Sequence, residues 1–274
     1  MSSISEPGSW SLFSESLATR FRIRPGYAIQ ALHYLNAELA QLSSSARVAD
    51  IGAGTGIFTR QIAQFVSNAA VIVGIEPSEG MRKLAAMQSS TRPIKYIAGS
   101  AEELPRPHAP YDAVTAAMAA HRFNRPIFFN LLPTILRPGG LIAFIDNLPR
   151  HTPSKLHDDY LTLQERYVPS FRRGMNTDIA TGGYAFFDLA KELREHGGFK
   201  EIRTLQWDND HYVDEATFLT FANSSTISLR VIDQIGKAEF DEKIKKLYLD
   251  SVNDGCKTEL TYTTKLIVAT LKPA

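Results

Sequence analysis

Between residues 46 and 148 the chain alternates short apolar runs with stretches of helical spacing, and this alternation restricts its fold more than any other feature. Arg47-Val48-Ala49-Asp50-Ile51 has a buried-strand pattern that ends at glycines, and 59–67 follows with Ile62, Ala63, Phe65 and Val66 apolar at helical spacing. Val71-Ile72-Val73-Gly74-Ile75 predicts a second strand and 81–87 the next helix. Residues 94–98, 111–117 and 141–145 predict three further strands, with a helix over 126–136 stopped by Pro138-Gly139-Gly140. Strands separated by helical segments are βαβ units. Their parallel sheet is covered on both faces, so its strands read as nearly continuous hydrophobic runs.

Beyond residue 148 the pattern loosens. Residues 152–183 are polar and aromatic without a strand pattern, and 184–196 is amphipathic and ends at Gly197-Gly198 as a C-capped helix would. Residues 199–213 predict a strand, 214–253 read as helical, and 259–271, rich in Thr, Val, Ile and Tyr, predict a final strand. No repeat, low-complexity tract or linker sets off a second domain. The expected layout is one structural domain. It has an N-terminal helical lid (1–45), a core (46–148), a cap insertion (149–183), a core helix and strand (184–213), a helical cap insertion (214–256) and a final core strand (257–274).

Composition narrows the function. A formal net charge of +1 gives no broad field to draw in nucleic acid or an acidic membrane. No apolar stretch approaches the roughly 20 residues that span a bilayer. The first residues carry Glu6 and Glu15 and no long apolar run, unlike a secretory signal. With Cys256 as the single cysteine, no intrachain disulfide forms, and a reducing, cytoplasmic setting is expected. The seven histidines show no metal-binding spacing, so no metal is expected. Oligomeric state is not readable from the sequence.

The chemistry begins at Asp50-Ile51-Gly52-Ala53-Gly54-Thr55-Gly56, which joins the first strand to the first helix. Glycines there allow tight turning and let a ligand lie against the backbone, next to the free N–H groups of a helix start. The spacing is G-x-G-x-G, and Ile57 stands where a nicotinamide-binding loop has its third glycine. The lysine of a nucleoside-triphosphate loop is missing. Asp50, two residues before the first glycine, repels a pyrophosphate but suits a ligand with cationic ammonium and sulfonium groups. Glu76 ends the second strand in Gly74-Ile75-Glu76-Pro77, at the distance from the loop expected of a carboxylate that grips ribose hydroxyls.

VADIGAGTGIFTRQIA, GIEPSEGMR, GSAEELP, YDAVTAAMAAHRF and LRPGGLIAF stand in the order and spacing of class I S-adenosylmethionine (SAM)-dependent methyltransferases. The chain resembles their type 11 and trans-aconitate-methyltransferase-like groups, well over 24–148 and loosely elsewhere. The resemblance implies an α/β, Rossmann-like seven-stranded sheet, mostly parallel with the last strand antiparallel, carrying helical cap insertions. It implies SAM as cofactor and methyl transfer by in-line displacement to a small-molecule, secondary-metabolite-like acceptor. Gly52, Ala53, Gly54 and Gly56 would line the methionine and ribose part of SAM, with Asp50 serving the ammonium and Glu76 the ribose. Pro77 and Met81 would pack on the adenine, Ser100, Ala101 and Glu102 would border its edge, and Ala117 would close the site. Relatives often carry Asp where this chain has Ser100, which leaves Glu102 or a backbone carbonyl to take the adenine amine.

A sulfonium methyl is already strongly electrophilic, so such an enzyme mainly aligns a nucleophile and excludes water. His121, after the fourth strand, is the candidate base or positioner. Phe21, Tyr27, Met118, His121, His151, Tyr160 and Phe171 are the candidate acceptor-binding residues. Arg24-Pro25-Gly26-Tyr27 resembles an R-P-x-Y-P element that shapes an N-terminal lid in these relatives. His157 and Asp158 fall on a polar helical stretch that predicts surface exposure. O-, N- and C-methylation are not separable here. Two other readings stay open: SAM binding without transfer, as in a regulator or a cyclase, and methylation of RNA or protein. A basic face or an N-P-P-[YF]-like motif would favour the latter, and neither is present.

Overall fold

A computed structural model describes residues 23–178, 181, 183–252 and 257–273. Its central sheet has seven strands in the order β3-β2-β1-β4-β5-β11-β8. These are β1 (Ala46–Ile51), β2 (Ala69–Ile75), β3 (Lys95–Ile97), β4 (Tyr111–Ala117), β5 (Leu136–Pro149), β8 (Phe199–Asp208) and β11 (Tyr262–Leu271). Strands β1 to β5 pair in parallel, and β11 runs antiparallel to both β5 and β8. The expected sheet, with its last strand antiparallel, is the one observed.

Both faces of the sheet are covered, and the strand period of two sorts the core. On one face Val48, Ile72, Ala113, Leu141 and Leu266 meet helices α1 (Ile29–Leu42) and α2 (Ile57–Phe65). On the other, Ala49, Val73, Val114, Ile142 and Ile267 meet α4 (Arg125–Leu131) and α6 (Leu189–His196); α3 is Glu79–Ala86. Helix α1 was expected within a lid. Instead Leu32, Leu35 and Leu39 fall at i, i+3 and i+7 and are buried in the core. The helix expected over 126–136 stops at Leu131. A 3₁₀ turn carrying Pro133 follows, and β5 begins at Leu136 and runs to Pro149, longer than its apolar centre suggested.

The cap has its own core. It is built from α5 (Lys155–Tyr167), β6 (Asn176–Thr177), β7 (Tyr184–Ala185), β9 (His211–Val213), α7 (Glu215–Ala222), α8 (Thr226–Ile235), α9 (Lys237–Leu249) and β10 (Thr258–Leu260). The run read as one helix over 214–253 is three helices. It breaks at Ser225, whose hydroxyl caps α8, and at Gly236, where φ is +82°. The strands expected over 199–213 and 259–271 each divide. Strand β9 leaves the main sheet to pair antiparallel with β10, and β6 pairs with β7. Tyr160, Phe171, Phe218, Val231, Phe240 and Ile244 form the buried cap core. Among the described residues no helix is long and apolar enough to cross a membrane.

Candidate functional site

The loop between β1 and α2 turns back on itself over the end of β2. The amides of Gly52 and Ala53 both donate to the Ile75 carbonyl, at 2.8 and 3.1 Å. Gly54 has a φ of +55°, and a side chain added there would meet no atom within 4 Å, so the loop presents bare backbone to open space. Gly56, at φ +78°, is the N-cap of α2 and leaves that helix start without a side-chain cap.

Glu76 braces this loop. One carboxylate oxygen accepts the Gly54 amide at 3.0 Å and the other the Ser78 amide at 2.9 Å. The group is 7% exposed, and burial raises its pKa against those two hydrogen bonds. A carboxylate offers about four lone-pair positions, so two remain for ligand hydroxyls.

Asp50 holds the loop from behind. It accepts the Thr59 hydroxyl at 2.6 Å and the Thr115 hydroxyl at 2.9 Å, joining β1 to α2 and β4. Burial pushes its carboxyl to about 7, with Glu76 adding to the rise and the two hydroxyls opposing it. Asp50 was expected to serve a ligand ammonium directly or through water; it does not line the cavity in front of the loop. Gly56 does not line it either, because the Tyr96 hydroxyl occupies the place its side chain would take.

That cavity, of about 550 Å³, runs from the glycine loop to the cap. Of the residues proposed from the sequence, Gly52, Ala53, Gly54, Glu76, Pro77, Met81, Ser100, Ala101, Glu102 and Ala117 line it, and so do Tyr27, Met118, His121, Tyr160 and Phe171. His151 is exposed and outside it, carried away by the turn between β5 and α5. Phe21 lies outside the described residues. At the far edge the Ser100 hydroxyl accepts the Glu102 and Glu103 amides, and Glu102 accepts the Asn124 amide at 2.7 Å. Ser100 therefore shapes its own loop, and Glu102 ties that loop to the start of α4.

Met118 closes β4 with a φ of +47°, a left-handed conformation that costs a non-glycine residue of order 1–3 kcal/mol. Its amide donates to the Ile145 carbonyl at 2.9 Å, and the chain then turns into a 3₁₀ segment (Ala120–Arg122) that carries His121 and Arg122 to the cavity wall. Burial holds His121 well below its ordinary pKa, and Arg122, Arg24 and Arg125 lower it further. It is neutral at pH 7. Burial also lowers Arg122, to about 10.

The cap side of the cavity is aromatic and polar together. Tyr160 shares a 3.0 Å hydrogen bond with Ser228, and the Gln164 amide donates to Ser228 and Ser225 at 3.2 and 3.3 Å. Arg24 donates to the Ser224 carbonyl at 2.8 Å, and the Gly26 carbonyl accepts from Asn147 and Asn209. The Arg24-Pro25-Gly26-Tyr27 element therefore ties the cap to the ends of β5 and β8. Sequence reasoning missed Arg122, Phe123, Gln164, Met175, Ser225 and Tyr262, which come from five separate stretches of chain and also line the cavity. It also missed His157, expected at the surface but 2% exposed against Thr261 and Tyr262.

Residues 49–144 match the family model described as "Methyltransferase domain". A putative methyltransferase of Dictyostelium discoideum is 35% identical over 91 residues, covering 33% of this chain and 32% of that relative. The matches span 32% to 51% of the length of the first curated relatives. Among solved structures, a putative type II methyltransferase from Anaeromyxobacter dehalogenans gives a TM-score of 0.58 at 17% identity, covering 91% of this chain and 97% of that one. A SAM-dependent methyltransferase from Thiobacillus denitrificans, in complex with S-adenosyl-L-homocysteine, gives 0.50 at 14% identity, covering 95% and 99%. At these identities the structural likeness speaks to the fold alone.

Proposed function

We propose, on the premise that residues 49–144 are a class I SAM-dependent methyltransferase domain, that the chain methylates a small, largely apolar acceptor held beneath its cap. The observation that carries this reading is the continuity of one cavity from the glycine loop to the α5 wall. Cofactor and acceptor would share that volume, as in-line transfer requires.

The residues present fit SAM. The open space at Gly54 is a cradle that any side chain would fill. The two remaining lone-pair positions of Glu76 suit the two ribose hydroxyls. Pro77, Met81 and Ala101 offer an apolar slot for the adenine. Arg24 and Arg122 offer donors to the methionine carboxylate. Asp50 would act through its field on the ammonium, one layer behind the loop.

SAM supplies the electrophilic methyl group, and the chain supplies alignment and dryness. Phe123, Phe171, Phe221 and Tyr262 give the acceptor an apolar enclosure that excludes water. His121, neutral among arginines, is a poor site for an added proton, so its role is to orient the acceptor by hydrogen bonding. An acceptor that is a free amine or a carboxylate needs no base at all.

The test is to incubate the protein with methyl-labelled SAM and a fractionated extract of small metabolites, then follow the label by mass spectrometry. A product heavier by one labelled methyl group is expected. Label recovered only in SAM, with SAM binding intact, would sink methyl transfer and leave a SAM-binding protein. Label in RNA or protein would move the acceptor class.

A further inference from the structure

His157 lies on α5 one turn before Tyr160 and two before Gln164, so all three present the same helix face to the cavity. Three contacts fix it. The Ser154 hydroxyl accepts its backbone amide at 3.3 Å, its Nδ1 is 2.8 Å from the Thr261 carbonyl oxygen, and its ring sits 4.7 Å from that of Tyr262. A carbonyl oxygen only accepts, so Nδ1 carries the proton in that bond. Burial pushes the imidazole down to about 4; the Thr261 bond and Asp158 oppose this, and Arg173 adds to it. The ring is therefore neutral, with its single N–H spent on Thr261, and Nε2 keeps a bare lone pair.

Among the described residues, Nε2 has no hydrogen-bond partner. The neighbouring groups on this wall are committed elsewhere. The Gln164 amide donates to Ser225 and Ser228, Tyr160 is paired with Ser228, and Arg173 is engaged by Asp158 and Glu165. An acceptor on the cavity wall with no protein partner, beside polar groups already paired, marks where a ligand donor belongs.

We propose that His157 Nε2 accepts a hydrogen bond from the methyl acceptor, which therefore carries a hydroxyl or N–H group on an apolar body. The assignment rests on reading the cavity as a shared cofactor and acceptor site. His157 acts as a positioning residue: it turns the protic group of the acceptor and takes no proton from it. The Thr261 carbonyl fixes the tautomer, and Tyr262 fixes the plane of the ring.

Two substitutions separate this role from a structural one. In His157→Asn the side-chain amide reaches the Nδ1 position, keeps the Thr261 bond and loses the acceptor at Nε2. In His157→Gln the amide reaches the Nε2 position and keeps an acceptor there. The probes are phenol and anisole, which match in shape but differ in the O–H donor, titrated into full-length protein saturated with S-adenosyl-L-homocysteine. The wild type is expected to bind phenol about tenfold tighter than anisole, a preference that His157→Asn reduces to near one and His157→Gln largely retains. A histidine that only held Thr261 would give the opposite ranking, with His157→Asn the mild variant and both probes affected alike.

Nitrogen NMR of ¹⁵N-histidine-labelled wild type is expected to show His157 neutral at pH 7 with its proton on Nδ1. A proton on Nε2, no binding of phenol, or equal phenol and anisole affinities in the wild type would overturn the assignment. Calorimetry with S-adenosyl-L-homocysteine on the same samples reads the cofactor site separately. Its failure would overturn the shared-site reading, while intact homocysteine-analogue binding with no phenol preference would overturn only the role of His157.

Discussion

The two ends of the cavity are made of different materials. The cofactor end is backbone: a glycine turn, two amides on the Ile75 carbonyl, and a single carboxylate, Glu76, spanning the loop and the start of α3. Its loop and strand-end parts lie between residues 52 and 117, at the ends of β1 to β4. The acceptor end is side chain, gathered from the 23–28 segment, the turn after β4, and helices α5, α7 and α8. A ligand shared by a whole family can be met by backbone geometry, which tolerates sequence change. A ligand particular to one chain must be met by side chains, which the tertiary fold assembles. Variants at the two ends should therefore separate cofactor binding from everything else.

Phe171→Ala should have the largest effect, and it should fall on the cap alone. The ring is 2% exposed, in edge contact with Tyr184, so the expected loss of stability is about 3–5 kcal/mol. Thermal unfolding followed with and without SAM checks it. SAM affinity at a temperature where the variant is folded should change less than about threefold. A parallel collapse of SAM affinity would join the two ends into one cooperative unit.

Gly54→Val should do the reverse. It fills the cradle and forces a β-branched residue to positive φ. SAM affinity should fall at least about a hundredfold, close to 3 kcal/mol, with circular dichroism still showing a folded chain. Binding within tenfold of wild type would mean the ligand lies elsewhere.

Cofactor affinity should also depend on pH, through Asp50. Its carboxyl sits at about 7 in the structure, and the cationic ammonium of SAM favours the ionised form. Binding therefore lowers this pKa and releases a proton. Below pH 7 affinity should weaken by up to about tenfold per pH unit, and above pH 8 it should level off. Glu76, also raised by burial, acts in the same direction, because ribose hydroxyls favour its ionised form. Asp50→Asn should weaken SAM and flatten the slope near neutrality; an unchanged slope would remove Asp50 from the account.

The smallest effect expected is that of Tyr160→Phe. It removes one hydroxyl, bonded to Ser228, and keeps the ring packed on Phe218. Stability should fall by about 1 kcal/mol, and SAM affinity should stay as it was. Turnover of whichever acceptor the labelling experiment finds should fall, which a structural hydroxyl alone would not cause.

The same contrast decided what the sequence made legible. The β1–α2 loop, Glu76 and the parallel strands up to residue 148 could be read because period, glycine spacing and strand ends are local signals. Asp50 was placed correctly in the chain, but spacing cannot tell a residue in front of a loop from one behind it; only the Thr59 and Thr115 hydroxyls do that. The cap was hidden for a different reason. Helix α5 is polar in composition, yet His157, Tyr160 and Gln164 are buried, because its inner face meets serines, Thr261 and Tyr262 where hydropathy expects an apolar partner. Strands β9 and β10 are three residues each and lie directly beside longer strands, so nothing in the sequence divides them from β8 and β11. The proline and glycines at 138–140 suggested a stop, but β5 runs through them beside β4.

The central claim is that Glu76 and the glycine loop form the ribose cradle of SAM. Titration calorimetry on Glu76→Ala, with SAM and with a 2′,3′-dideoxy analogue of SAM, tests it most directly. The account predicts a loss of about 1.5–3 kcal/mol for SAM, the scale of a charge-assisted hydrogen-bonding partner, and a far smaller loss for the analogue that lacks both hydroxyls. Equal losses for the two ligands would show that Glu76 only braces the Gly54 and Ser78 amides, and would contradict the assignment of the cradle.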